Sequence, residues 1–249
     1  PEPIFTVPAV PAELVTVGKS KVQRIKRGTT IPTIDREKTQ ATILAAIQSS
    51  SEPTKLLVPL ITRETEGENG FDSLREKYGF KVYISGAETV HKDHLDDDDR
   101  NVNLRVAAEK VDGLILKPGE EFSFNRVVGD RSRKNGFRPA GVISNGRVIP
   151  GMGGGVCQVS TSLYNAALLA NLKITERYNH SIYDGIPYAE RGRDAAVVYG
   201  AKDFRFKNTL PVPILISCTS VPGHVRVAFY AESKPFEKIE IVTKNEKVI

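Results

Sequence analysis

Tryptophan is absent from this 249-residue chain, methionine occurs once, and cysteine occurs twice, at 157 and 218. Two cysteines cannot build the multi-bridge framework of a small disulfide domain. No apolar run approaches the roughly 18 residues that a membrane-spanning helix needs. A composition of 40% hydrophobic and 26% charged residues excludes intrinsic disorder. Histidine is scarce, with 4 in the chain. The acidic run at 96–99, near His91 and His94, lacks the glycine turn and later glutamate of a calcium loop, so neither metal nor cofactor is expected. What is plentiful is glycine (20) and proline (15), the mark of a turn-rich fold with several strands. The net charge of +5 is mildly basic and favours polyanionic partners without choosing among them.

The length suits one large domain or two modest ones. Pro1, Pro3, Pro8 and Pro11 mark residues 1–13 as a semi-extended linker. Residues 14–65 read as a small α/β module. It holds β-prone stretches at 15–27 and 31–34, a helix starting at Asp35 with Ile43, Leu44 and Ile47 at helical spacing, and a strand at 56–60. The polar stretch 64–70 is the domain boundary. Beyond it the pattern predicts helices at 73–78 and 102–111, strands at 81–85 and 122–124, and a basic loop region from 126 to 147. That region carries Arg126, Arg131, Arg133, Lys134, Arg138 and Arg147 against Asp130, and is either a solvated surface or a groove for a carboxylate-bearing ligand. Strands follow at 173–177, 195–199, 204–206, 214–218, 225–231 and 239–243. The fold class is therefore α+β, mostly antiparallel sheet with a few helices.

The most informative stretch begins Gly151-Met152-Gly153-Gly154-Gly155-Val156-Cys157-Gln158. Val156, Val159, Leu163, Ala166 and Ala170 recur at three- and four-residue steps, which predicts a helix with one apolar stripe. Cys157 falls in its first turn, off the stripe. Unpaired amides and the helix dipole favour a thiolate there, and the loop formed by Gly154, Gly155 and Gln158 can present N–H groups to an oxyanion. A phosphate loop is excluded by the missing lysine and Walker spacing. A thiolate nucleophile wants a base and an orienting group. His180, just after the strand that follows the helix, is the expected base. Asp194 and Asp203 both remain candidates for the orienting carboxylate. Cys218 alternates with Ile214 and Ile216, so it reads as a core residue.

Several motifs in order resemble the VanW domain family. They are Leu116-Lys117-Pro118-Gly119-Glu120-Glu121-Phe122-Ser123-Phe124-Asn125, the glycine-rich segment through Cys157 to Ala166, Gly192-Arg193-Asp194-Ala195, and Asp203-Phe204-Arg205-Phe206-Lys207-Asn208. The resemblance spans about residues 71–220, within a domain expected at 71–235 and followed by a C-terminal extension at 236–249. Ser162 stands where the family more often has threonine. Residues 14–65 resemble the later part of a peptidoglycan-binding module.

The resemblance implies an extracellular, cell-envelope protein whose full-length form is anchored by an N-terminal membrane helix absent from this chain. It also implies an L,D-transpeptidase that forms 3–3 cross-links through a Cys157 thioester, with His180 as base; of the two candidate carboxylates, Asp194 is taken as the third member. Arg126, Arg138, Arg193, Ser160, Thr161 and Tyr164 are the expected substrate contacts. The expected partners are peptidoglycan stem peptides and anionic wall polymers, not nucleic acid. Two rival expectations stand beside it: a cysteine peptidase or amidase of the stems that keeps the same residues, and a non-catalytic wall-binding module in which Cys157 is merely packed and the basic loops bind stem carboxylates or teichoic acids.

Overall fold

The computed structural model describes residues 12–17, 22–28, 31–34, 36–49, 62–65, 71–91, 98–144, 146–181 and 186–242. The strand expected at 56–60 lies outside them. The chain divides into two compact units, Pro1–Glu13 with Lys26–Leu74, and Leu14–Ile25 with Arg75–Ile249. In chain order the early elements are β1 (Glu13–Val17), β2 (Val22–Lys26), β3 (Ile31–Ile34), α1 (Arg36–Ser49), β4 (Thr62–Thr65) and α2 (Phe71–Lys77). In the first unit β3 pairs antiparallel with β4, with Ile31 opposite Thr65.

The second unit continues with β5 (Val82–Val90), α3 (Asp98–Val111), β6 (Ile115–Leu116), β7 (Glu121–Ser123), α4 (Phe124–Val128), β8 (Pro139–Ser144), β9 (Arg147–Met152), α5 (Cys157–Leu169), β10 (Lys173–Glu176), β11 (Arg205–Lys207), β12 (Ile214–Val221) and β13 (His224–Ala231). Its main layer is a four-stranded sheet in the order β5-β13-β12-β6. Val225, Val227, Phe229 and Ala231 alternate as buried positions along β13, the period-2 signature of a strand with one face on a core. Helix α5 packs over β5 and β13, and α3 over β12. The three-stranded sheet β10-β11-β7 joins the same core through phenylalanines. Phe206 lies 4.9 Å from Phe122, 5.7 Å from Phe204 and 5.8 Å from Phe229, centroid to centroid. Burial of each such side chain is worth about 1.5–3 kcal/mol. The pairings whose register is resolved are all antiparallel. The architecture is the α+β class expected.

Residues 14–25 belong with this larger unit because β2 docks on the end of α3. The Ile25 amide donates to the Gly113 carbonyl at 2.9 Å, and Arg24 bridges to Leu114. Gly113 has φ +76°, and a Cβ there would lie 1.9 Å from the Ile25 carbonyl oxygen, so only glycine fits.

Three expected elements differ. The region 126–147, read as loop, contains α4, a 3-10 turn at Arg133–Asn135, and the β8–β9 hairpin. The segment 195–199, read as a strand, joins no sheet and makes one isolated bridge, Val198 to Lys202. The last expected strand, 239–243, is irregular over 239–242. Cys218 is buried in the core as expected, its amide donating to Asp112 Oδ1 at 2.8 Å, and both cysteines are free.

Candidate active site

Three glycines shape the turn that delivers Cys157, each for its own reason. Gly153 (φ +73°) and Gly155 (φ +97°) occupy the left-handed region that side chains avoid. Gly154 has no unusual φ, but a Cβ on it would lie 2.5 Å from the Ala140 carbonyl carbon, so the turn presses its backbone onto β8. From α3, Asn103 clamps the turn. Its Nδ2 donates to the carbonyls of Gly154 and Arg138, each at 2.9 Å, and its Oδ1 accepts the Arg138 amide at 2.8 Å. One helical turn earlier, buried Arg100 donates to Gln158 Oε1 at 2.7 Å. Among the described residues, the amides of Gly154, Gly155 and Cys157 donate to no backbone carbonyl, as befits the start of a helix.

The other face of α5 is fastened to the segment 193–197. Asn165 Nδ2 donates to the Arg193 carbonyl at 2.9 Å, the Ala195 amide donates to Thr161 Oγ1 at 3.0 Å, Ser160 Oγ donates to the Ala195 carbonyl at 2.7 Å, and the Val197 amide donates to Cys157 Sγ at 3.4 Å. The register is physical. Four helical residues rise about 6 Å and two extended residues about 6.6 Å, so positions 157, 161 and 165 meet 197, 195 and 193 in turn. The carbonyls of Arg193 and Ala195 and the amides of Ala195 and Val197 are thus satisfied by helix side chains, while the Ala196 amide donates to the Tyr178 carbonyl at 2.8 Å and the Asp194 carbonyl accepts Arg177 Nε at 2.7 Å.

This fastening carries Asp194 to the base. Asp194 Oδ2 accepts both the backbone amide and ring Nδ1 of His180, each at 2.7 Å, while Oδ1 accepts Arg177 Nη2 at 2.6 Å. With Nδ1 held by the carboxylate, the other ring nitrogen is left for a second partner, and the interaction of His180 with the Cys157 sulfur lowers the pKa of the thiol and raises that of the imidazole. Burial raises the Cys157 pKa, but the bond and charge of His180, the Val197 amide and the Arg131 charge outweigh it and leave the thiol below its ordinary value. Burial pulls His180 down, yet Asp194 and the Cys157 sulfur carry it up to about 9. Asp194 itself is held low: its burial is overcome by His180 and Arg177. The set favours a thiolate–imidazolium pair at neutral pH.

The alternative orienter, Asp203, is used elsewhere. Its carboxylate accepts Ser123 Oγ at 2.6 Å, the amides of Asn125 and Phe204 at 2.8 Å, and Arg205 Nε at 2.8 Å, capping the start of α4. Ser160 and Thr161, expected as substrate contacts, are fully buried and spend their hydroxyls on Ala195. Tyr164 is half-buried against Phe204, with Arg177 over its ring. Gln158 is buried, its amide nitrogen donating to the carbonyls of Thr89 and Gly223 and its backbone N–H to Gly155, so it braces the turn. Arg126 donates to the Glu121 carbonyl, Arg138 pairs with Asp99 at 2.9 Å, and Arg193 pairs with Glu190 at 3.0 Å and Asn165 at 2.7 Å. Arg100, Asn103 and Arg177 escaped the sequence reading, and Arg131 entered it only as one member of the basic region, because an arginine or asparagine drawn into the fold reads like any surface one.

A family described as "VanW like protein" matches residues 99–230, just over half of the chain and all of this site. The chain belongs to the VanW-like family. One relative, an "Uncharacterized protein YoaR" of Bacillus subtilis (strain 168), is 42% identical over 132 residues, covering 53% of this chain and 43% of its own length. Another, a "Vancomycin B-type resistance protein VanW" of Enterococcus faecalis (strain ATCC 700802 / V583), is 31% identical over 136 residues, covering 53% of this chain and 50% of its own. The chain thus spans half or less of the length of these VanW-like relatives. No solved structure gives a significant match. Among the described residues no group of His, Cys, Asp and Glu is arranged to hold a metal, and no helix is long and apolar enough to cross a membrane.

Proposed function

We propose that the chain has a cell-wall-related function and acts as a cysteine-dependent L,D-transpeptidase of peptidoglycan stems. The observation that carries the reading is the Cys157–His180–Asp194 relay at the glycine turn, in a chain with a relative named for vancomycin resistance. The Cys157 thiolate attacks the carbonyl that joins the L-centre of a tetrapeptide stem to its terminal D-Ala. The carbonyl electrons move onto oxygen, which the amides of Gly154, Gly155 and Cys157, donating to no backbone carbonyl among the described residues, are suited to receive. The C–N bond then breaks, and the His180 imidazolium donates its proton to the departing D-Ala amine. An amine of a neighbouring stem attacks the thioester, His180 takes its proton, and the C–S bond breaks to restore the thiolate. Such work belongs outside the cell, in the envelope.

Product analysis of disaccharide-tetrapeptide incubated with the protein tests this reading. Cross-linked dimers and free D-Ala, both lost in Cys157→Ala, are expected. Trimmed monomers alone mean that water resolves the thioester, and no product at all points to a wall-binding module.

A further inference from the structure

Arg131 is the basic residue that the site leaves uncommitted. It follows α4, and its aliphatic stem crosses the glycine turn so closely that a Cβ on Gly153 would lie 2.6 Å from its Cγ. The guanidinium is wedged between two rings, 5.4 Å from the Phe124 centroid and 5.7 Å from that of Tyr199. Nη1 donates to the Gly129 carbonyl at 2.6 Å. Nη2 is buried and has no hydrogen-bond partner among the described residues. The Cys157 sulfur feels its charge, yet receives its hydrogen bond from the Val197 amide instead.

A guanidinium fork held at one nitrogen by a carbonyl, with the next nitrogen dry and unsatisfied, is costly unless an anion completes it. A planar carboxylate is the group whose geometry matches. The three arginines expected to do this from sequence are engaged with protein acceptors. We propose that Arg131 is the carboxylate receptor of the site, binding through Nη2 a carboxylate that the substrate carries next to the carbonyl attacked by Cys157. The identity of that substrate rests on the transpeptidase reading, where the carboxylate is that of the terminal D-residue. The site then selects peptides with a free C-terminus one residue beyond the scissile bond and rejects internal peptide bonds.

Two alkylating agents of nearly equal size, one anionic, test the receptor without any peptide chemistry. Rates of Cys157 modification by iodoacetate and by iodoacetamide are compared, site by site, by peptide mass spectrometry. In the wild type, the iodoacetate-to-iodoacetamide rate ratio should exceed that of free cysteine by about tenfold or more, the scale of one charge-assisted hydrogen bond. Iodoacetate should saturate, and acetate should protect where acetamide does not. Arg131→Met should bring the ratio to the free-cysteine value, a readout from which any change in thiolate population common to both reagents cancels, and Arg131→Lys should restore part of it. A wild-type ratio equal to that of free cysteine, or a ratio unchanged in Arg131→Met, overturns the assignment. If Arg131→Met fails to fold, the wild-type ratio and the acetate protection decide alone. An intact iodoacetate preference with no acylation by stem peptides sinks the transpeptidase reading and leaves the receptor standing. Acylation without the preference does the reverse.

Discussion

A single oxygen of Asp194 holds His180 twice, by the backbone amide and by ring Nδ1, both at 2.7 Å. The double grip fixes the ring's rotation as well as its tautomer, and the carboxylate's bond to the ring, together with the Cys157 sulfur, raises the His180 pKa from its ordinary 6.5 to about 9 against the opposing pull of burial. Asp194→Asn should therefore drop the His180 pKa toward the ordinary range, read by NMR titration of the ring. Any Cys157-dependent turnover should fall on the order of 10²-fold with it. A His180 pKa that stays near 9 in the variant would show that the carboxylate is not its cause.

The pH dependence of Cys157 alkylation follows from the same pair. The Cys157 pKa is lowered, so its thiolate persists as pH falls below the ordinary thiol range and disappears only when pH passes the lowered value. The His180 pKa is raised, so its imidazolium is present through neutral pH and is lost as pH rises through about 9. In His180→Ala the acid limb of the iodoacetamide profile should shift upward, toward pH 8.5 or so, the ordinary thiol value. Superimposable profiles for the two proteins would contradict the ion pair.

Gly154 and Gly192 separate space from backbone conformation. A Cβ at Gly154 meets the backbone of Ala140 and Gly141 at 2.5–2.6 Å, whereas Gly192 (φ +75°) has nothing within 4 Å. Gly154→Ala should cost about 2–3 kcal/mol and slow Cys157 alkylation by displacing the turn. Gly192→Ala should cost about 1 kcal/mol, the left-handed penalty alone. Chemical denaturation of both variants beside the wild type measures the difference.

Thr161→Val keeps the shape of the side chain and deletes the acceptor of the Ala195 amide. Leaving that buried N–H unpaired should cost about 1–3 kcal/mol. Because Ala195 adjoins Asp194, faster hydrogen exchange at 193–197 should accompany a fall in the His180 pKa.

Helix α5 and the place of its cysteine were legible because the apolar spacing is strict, and Val156, Val159, Leu163, Ala166 and Ala170 are all buried. His180 was legible as a residue type with few competitors. Choosing Asp194 over Asp203 was not, since both sit in similar polar surroundings and only the fastening of 193–197 to α5 decides between them. That segment has the composition of a strand, yet its Ala195 and Val197 amides and its Ala195 carbonyl bond to the side chains of Cys157, Ser160 and Thr161, which no strand rule foresees. The β8–β9 hairpin was hidden by its glycines. Gly141 and Gly151 look like turn residues, but a Cβ on either would lie 2.9 Å or 2.6 Å from the side chains of Val148 and Val142 on the facing strand. They are the hollows into which those valines fold. Arg131 was one basic residue in a basic stretch, and its burial is a property of the fold.

Intact-protein mass spectrometry after incubation with disaccharide-tetrapeptide, beside Cys157→Ala and Cys218→Ala, tests the central claim most directly. The account predicts an adduct equal to substrate minus D-Ala in the wild type and in Cys218→Ala, absent in Cys157→Ala. An adduct that persists in Cys157→Ala, or a wild type that binds the substrate and never acylates, would contradict it.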